Sequence, residues 1–119
     1  MRADAQALVD RIDAALNLVK MSLDWDRALR RLDELNAKVE DPTLWDNPKA
    51  AEEVMRERRR LDAAISTVRE IDADKAGTVE LIELAEMEGD AALGDEGAAA
   101  LKALADRAAI IVRGQLIAQ

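Results

Sequence analysis

The densest run of cationic side chains in the sequence consists of Arg56, Arg58, Arg59 and Arg60. On a helix, Arg56, Arg59 and Arg60 project to one side, because residues three and four apart share a face. Guanidinium groups arranged in this way suit RNA phosphates or the carboxylates of an acidic protein. The alternative is a solvated face whose arginines pair, at small energetic gain, with glutamates of the same helix, namely Glu52, Glu53 and Glu57. Both interpretations stay open, and the three co-facial arginines are the candidate partner contact.

The remaining side chains predict neither catalysis nor a cofactor or metal. The sequence has no His and no Cys, so it lacks an imidazole base, a thiolate nucleophile and a thiolate metal site. Gly89, Gly94 and Gly97 do not form a phosphate loop, because no strand precedes them and no Lys-Ser/Thr follows. The acids of the second half read as a solvated helical face, since di-iron bundles need histidine as well. We therefore expect a protein that is not an enzyme.

Charge is distributed unevenly along the chain. The formal net charge is −8, yet residues 24–60 carry nearly equal numbers of bases and acids. Residues 70–106 are strongly acidic, with Lys75 and Lys102 as their cations. An acidic surface repels nucleic acid, whose binding depends on neutralising phosphates. We expect no DNA partner, and any RNA contact should involve the first half. The second half suits a basic protein partner or, as the alternative, serves solubility.

The sequence also indicates where the protein works. No apolar run reaches the roughly 18 residues needed to cross a bilayer. Asp4, Asp10 and Asp13 interrupt the first apolar positions, which does not fit a secretory signal. We expect a cytoplasmic protein with no membrane association.

Apolar residues at three- and four-residue spacing predict helices on both sides of a proline-bounded connection. The first stripe ends near Leu23, and Asp24 is the predicted side-chain cap of the next helix. That helix ends at Asp41, before Pro42. The connection to Pro48 contains Leu44 and Trp45, which we expect to fold back onto the bundle. Trp45 and Trp25 are expected to be core anchors, with stacking on bases as the alternative.

The longest predicted element runs from Pro48 to about Glu88. It has no internal proline and a single glycine, Gly77, so one helix of about 60 Å is expected at 1.5 Å per residue. A turn over residues 89–97 and a last helix from Ala98 follow. The predicted fold is all-α: an elongated antiparallel helical bundle, or coiled-coil hairpin, of three to four helices with one long central helix.

The C-terminal segment differs in character from the rest. Residues 109–119 contain no acid and group Ile110, Ile111 and Val112, a run wider than one helical stripe. We expect two regions, a helical domain over residues 1–108 and an apolar tail over 109–119. An exposed apolar tail favours self-association as a homodimer, and a disordered tail is the alternative.

Several segments resemble a known family. They are LDWD (residues 23–26), RLDELN (31–36), EDPTLWDNP (40–48) and AAEEVMRER (50–58). The most specific pattern is acidic-Pro-x-x-Trp-x-x-Pro between two amphipathic helices. These features resemble the N-terminal helical domain of the bacterial peptide chain release factor 2 family, over roughly residues 1–108.

The resemblance implies a helical domain near the ribosomal stalk base during translation termination. From the charge pattern, we expect Arg56, Arg59 and Arg60 to form part of such a ribosome contact. Codon reading and hydrolysis belong to later domains of the family, which carry Ser-Pro-Phe and Gly-Gly-Gln motifs, and neither tripeptide occurs here. We therefore expect an isolated domain or a truncated relative without hydrolytic activity. The rival expectation is a self-associating scaffold, or a relic with no ribosomal role.

Overall fold

The computed structural model describes residues 1–117 and contains no strand among them. The predicted all-α fold with one long helix is confirmed. The chain divides into two compact units, residues 1–22 with 68–119 and residues 23–67. We refer to them as the three-helix unit and the hairpin unit. The elements are α1 (Ala3–Leu23), α2 (Trp25–Glu40), a 3₁₀ helix (Pro42–Asp46), α3 (Pro48–Glu88) and α4 (Ala91–Ile117).

The junction between α1 and α2 is a single residue in the left-handed region. Asp24 has φ 54° and ψ 71°, and its backbone oxygen accepts a hydrogen bond from the amide of Ala28 at 2.8 Å. Its carboxylate makes no capping hydrogen bond, so the predicted side-chain cap is wrong. Aspartate is one of the few non-glycine residues that tolerate this conformation, because its short polar side chain limits the steric cost.

The connection between α2 and α3 is held by two side-chain caps. Asp41 accepts hydrogen bonds from the amide and the hydroxyl of Thr43 at 2.9 and 2.8 Å. Asn47 caps α3 by accepting from the amide of Ala50 at 3.2 Å, with Pro48 at the first helical position. The residues between these caps form the 3₁₀ helix. Helix termination before Pro42 and the restart at Pro48 are as the sequence predicts.

The turn between α3 and α4 is much shorter than predicted. Gly89 has φ +66°. The amide of Asp90 donates a hydrogen bond to the carbonyl of Ala85 at 2.9 Å, and the amide of Gly89 donates to the carbonyl of Glu86. This is the Schellman arrangement that ends many helices at a left-handed glycine. The Asp90 carboxylate then accepts from the amide of Leu93 at 3.0 Å, so it caps α4. The expectation of a turn through residue 97 was therefore wrong.

The hairpin unit packs α2 against the first part of α3. The short connection makes the two helices antiparallel. Ala28 and Leu35 of α2 are buried with Leu61 and Ile65 of α3. Trp25 packs against this cluster and is partly buried, which fits its predicted role as a core anchor. This core fixes which side of α3 faces solvent.

The three-helix unit packs α1, the second part of α3 and α4. Ion pairs define its register: Lys75 of α3 binds Asp13 of α1 at 2.5 Å, and Arg107 of α4 binds Glu70 at 3.3 Å. Gly97 is buried, and a Cβ added there would lie 2.7 Å from Cγ1 of Ile82. The glycine that resembled a turn signal therefore allows α4 to approach α3. The core residues are Ala5, Val9, Ile12, Leu16, Val19, Val68, Ile71, Ile82, Ala85, Leu101, Leu104, Ala105 and Ala108.

Candidate partner surface

The arginines that the sequence offers as a partner contact lie on the solvent side of α3 in the hairpin unit. Arg56, Arg59 and Arg60 are exposed, whereas Leu61 of the same turn is buried in the core. Arg56 donates a hydrogen bond to Glu52 at 2.8 Å, and both side chains are about two-thirds exposed. No ion pair is found for Arg59 or Arg60 within the described residues. We call these three residues the arginine face.

Arg58 points away from the arginine face, as its spacing predicts. It is partly buried, and its Nε donates to Oδ1 of Asn36 on α2 at 2.7 Å. Arg58 is therefore held by the neighbouring helix. This hydrogen bond links α3 to α2.

A salt bridge across the hairpin unit was not predicted from the sequence. Arg31 of α2 donates to both carboxylate oxygens of Glu57, at 2.7 and 2.8 Å, and to Glu34 at 3.1 Å. From its spacing, Glu57 was expected to pair with arginines of its own helix. The pair could not be foreseen, because residues 26 positions apart meet only once the register of α2 on α3 is fixed.

The salt bridge also shifts the protonation equilibria of its members. Hydrogen bonds from Arg31 lower the pKa of the Glu57 carboxyl, against a smaller opposing effect of burial. The same bonds, with those to Glu34, raise the pKa of the Arg31 guanidinium. Arg60 and Lys38 add a weaker electrostatic attraction that lowers the pKa of Glu57 further. Glu57 is thus kept anionic beside the arginine face and ties α3 to α2.

A second group of cations lies on α2. Arg27, Arg30, Arg31 and Glu34 line one shallow surface groove. Arg27 and Arg30 are exposed, whereas Arg31 forms salt bridges with Glu34 and Glu57. None of these residues was predicted as a site from the sequence. Their spacing along α2 was the available signal, since positions i, i+3, i+4 and i+7 share a helix face.

Trp45 is not the buried plug that the sequence predicted. It is 54% exposed, and Leu44 beside it is only partly buried. In a 3₁₀ helix, residues three apart eclipse each other, so Trp45 lies on the same side as Pro42. Both prolines that flank the segment are exposed as well. The connection therefore presents an aromatic side chain to solvent.

Two observations on the described part of the chain concern metal sites and membrane spans. No group of three or more His, Cys, Asp or Glu side chains within residues 1–117 is arranged to hold a metal ion. Among the described helices, none is both long and apolar enough to cross a membrane.

Fold and surface together define an all-α helical domain with a cationic face. The PCRF domain model matches residues 28–117, which is most of the chain. The chain therefore belongs to the PCRF domain family.

The chain is similar to proteins named peptide chain release factor 2. That of Paramagnetospirillum magneticum is 48% identical over 109 residues, which cover 92% of this chain and 29% of the relative. That of Roseobacter denitrificans is also 48% identical with the same coverage. That of a Caulobacter strain is 54% identical over 85 residues, or 71% of this chain and 23% of the relative. The predicted resemblance is confirmed, and the chain spans less than a third of the length of these relatives.

Proposed function

We propose that this chain is a non-catalytic helical domain that takes part in translation termination by contacting the ribosome near its stalk base, in the cytoplasm. The observation that carries the proposal is the family match over residues 28–117, together with relatives named peptide chain release factor 2. The matched region includes the arginine face. The proposal assigns no catalytic residue to the chain.

The arginine face is the proposed site of ribosome contact. Arg59 and Arg60 have no ion-pair partner among the described residues, and Arg56 has only an exposed one. Breaking an exposed ion pair costs little, about 0.2–1 kcal/mol. All three guanidinium groups are therefore available for RNA phosphates, which bind arginine in bidentate fashion. The acidic second half of the sequence would be held away from RNA by charge repulsion.

Co-sedimentation with ribosomes tests the proposal. The full chain is mixed with purified ribosomes at physiological salt and centrifuged through a sucrose cushion. We expect the chain in the ribosome pellet in an amount that saturates as its concentration rises. A chain that stays in the supernatant under these conditions contradicts the proposed function.

Charge reversal tests the assignment of the arginine face. The variant carries Arg56→Glu, Arg59→Glu and Arg60→Glu, and we expect much weaker pelleting. The matched control carries Arg11→Glu, Arg69→Glu and Arg113→Glu, which change the net charge equally at exposed positions of the three-helix unit. Equal loss in both variants would indicate a net-charge effect. Unchanged pelleting of the first variant would remove the assignment.

A self-associating scaffold is the second candidate function. Ile110 is 60% exposed near the end of α4, although Ile111 and Val112 are partly buried. The proposed division into a domain over 1–108 and a tail over 109–119 makes this tail the dimer contact. Residues 118–119 lie outside the described residues, and α4 continues to Ile117.

Light scattering separates this candidate from the first. The full chain, a chain without residues 109–119 and the Ile110→Glu variant are compared at several concentrations. A scaffold would be dimeric as the full chain and monomeric in the other two forms. A full chain that is monomeric at all concentrations rules out the dimer.

A further inference from the structure

Trp45 is an aromatic residue with more than half of its surface exposed. It is 54% exposed, whereas Trp25 packs against the core of the hairpin unit. A tryptophan side chain buries a large apolar area when it is covered. Tryptophan is also among the residues that dominate binding energy at protein interfaces. Trp45 therefore has exposed aromatic surface available for a partner.

The segment that carries Trp45 is held in a defined conformation. Asp41 binds the amide and hydroxyl of Thr43 at the start of the 3₁₀ helix, and Asn47 caps α3 at its end. Pro42 and Pro48 fix two further backbone φ angles. A side chain on such a segment loses little conformational entropy when it binds, since the backbone is already ordered.

The charges around Trp45 determine which partner it suits. Glu40, Asp41 and Asp46 are exposed and lie within five residues of Trp45 along the chain, and residues 40–47 contain no cation. The hydrogen bonds from the backbone and side chain of Thr43 lower the pKa of the Asp41 carboxyl, so this group stays anionic. Carboxylates repel the phosphates of a nucleic acid. They attract arginine and lysine, whose cationic heads also bind the face of an indole ring.

We propose that Trp45, together with Asp41 and Asp46, binds an arginine- or lysine-rich segment of a protein partner. The cationic head lies over the indole face, and the neighbouring carboxylates neutralise its charge. This surface is separate in chemistry from the arginine face, which suits anions. A single domain thus carries an anion-binding face and a cation-binding turn.

Nuclear magnetic resonance of the ¹⁵N-labelled full chain tests the proposal. The two indole N–H signals are assigned with Trp25→Phe and Trp45→Phe. The chain is titrated separately with a hexa-arginine peptide, a hexa-citrulline peptide of the same shape without charge, and hexauridylate. We expect a saturable shift of the Trp45 signal with the arginine peptide alone, and a smaller shift of the Trp25 signal.

Variants separate the contribution of the indole ring to peptide binding from that of the overall negative charge of the protein. Binding of a fluorescent arginine peptide is measured by anisotropy for Trp45→Leu and for the double variant Asp41→Asn, Asp46→Asn. Each should raise the Kd by about fivefold or more, because each removes one component of the site. The matched control is Glu83→Gln with Glu88→Gln, which removes two exposed carboxylates elsewhere and should leave the Kd near that of the parent chain.

Three results would overturn the proposal. They are an unshifted Trp45 signal, an equal shift with hexauridylate, which would indicate base stacking, and an unchanged Kd for Trp45→Leu. The ribosome pelleting test relies on the arginine face instead. Either proposal can therefore fail while the other stands.

Discussion

At the scale of single residues, two helical glycines have opposite surroundings. Gly77 is exposed in α3, and a Cβ added there would meet no atom within 4 Å. We expect Gly77→Ala to stabilise the fold by about 0.5–1 kcal/mol, because alanine loses less backbone entropy in a helix. The free energy of unfolding from urea denaturation, followed by circular dichroism, measures the effect. A destabilised Gly77→Ala variant would mean that this segment of α3 is not an ordinary helix.

The matched variant at Gly97 should behave in the opposite way. Its new Cβ would lie 2.7 Å from Cγ1 of Ile82, inside van der Waals contact. We expect Gly97→Ala to destabilise the protein by about 1–3 kcal/mol, because the helices must separate or Ile82 must change rotamer. A double variant, Gly97→Ala with Ile82→Ala, compared with Ile82→Ala alone, distinguishes crowding from helix propensity, because Ile82→Ala removes the Cγ1 atom that the new Cβ would meet. Greater stability of Gly97→Ala than of the parent chain would contradict the close approach of α4 to α3.

Lys75 contributes to the stability of the fold, and this contribution is lost at alkaline pH. Its side chain is 19% exposed and contacts Asp13 at 2.5 Å and Asp72 at 3.2 Å. The hydrogen bond to Asp13 raises the pKa of the Lys75 ammonium in the folded state, against the effect of burial. A raised folded pKa stabilises the protein below the unfolded pKa of about 10.4, and this stability is lost as pH rises through the folded value.

Lys75→Met tests this contribution, because it keeps the aliphatic stem and removes the charge. At pH 7 we expect the variant to be less stable by about 1 kcal/mol, the scale of a charge-assisted hydrogen bond with partly exposed partners. The difference in unfolding free energy should shrink above pH 10, where the parent lysine deprotonates. A difference that stays constant through this alkaline range would assign it to packing rather than to charge.

At the scale of secondary-structure elements, the junction of α3 and α4 depends on one carboxylate. Asp90 follows the left-handed Gly89 and caps α4 through the amide of Leu93. We expect Asp90→Ala to cost about 1 kcal/mol of stability, whereas Asp90→Asn, which can still accept the bond, should cost little. Thermal denaturation followed by circular dichroism measures both. Equal losses in the two variants would contradict the capping role.

The elements differ in how well the sequence predicts them. The absence of proline between Pro48 and Glu88 predicts α3 correctly, because a proline-free amphipathic stretch has no strong terminator. The start of α4 is missed, since Gly94 and Gly97 signal a turn unless the neighbouring helix is known. Gly97 serves tertiary packing against Ile82, and such packing overrides intrinsic helix propensity.

The candidate surface, like the helices, is predicted only in part by the sequence. The exposure of Arg56, Arg59 and Arg60 follows from the helical period and the position of Leu61 in the core. The helical period does not predict the salt bridge between Arg31 and Glu57 or the exposure of Trp45. Both depend on the register and the turn conformation that join α2 to α3. Local periodicity says which face is polar, but only tertiary geometry says which polar groups are already paired.

At the scale of the whole molecule, the charge distribution determines how the proposed ribosome contact should depend on salt. The net charge is −8, so long-range repulsion from RNA must be overcome by the local cations of the hairpin unit. Binding through phosphate contacts releases counterions, so the affinity should fall steeply as salt is added.

The most direct test of this account is the salt dependence of ribosome affinity. The Kd of the fluorescently labelled full chain for ribosomes is measured over a range of potassium concentrations. The measurement is repeated for the variant with glutamate at positions 56, 59 and 60. We predict tight binding of the parent chain, and a slope of log Kd against log salt that is smaller in the variant by about 2–3, or nearly one for each lost phosphate contact. Parallel slopes for the two proteins, or no binding by the parent chain at any salt concentration, would contradict the account.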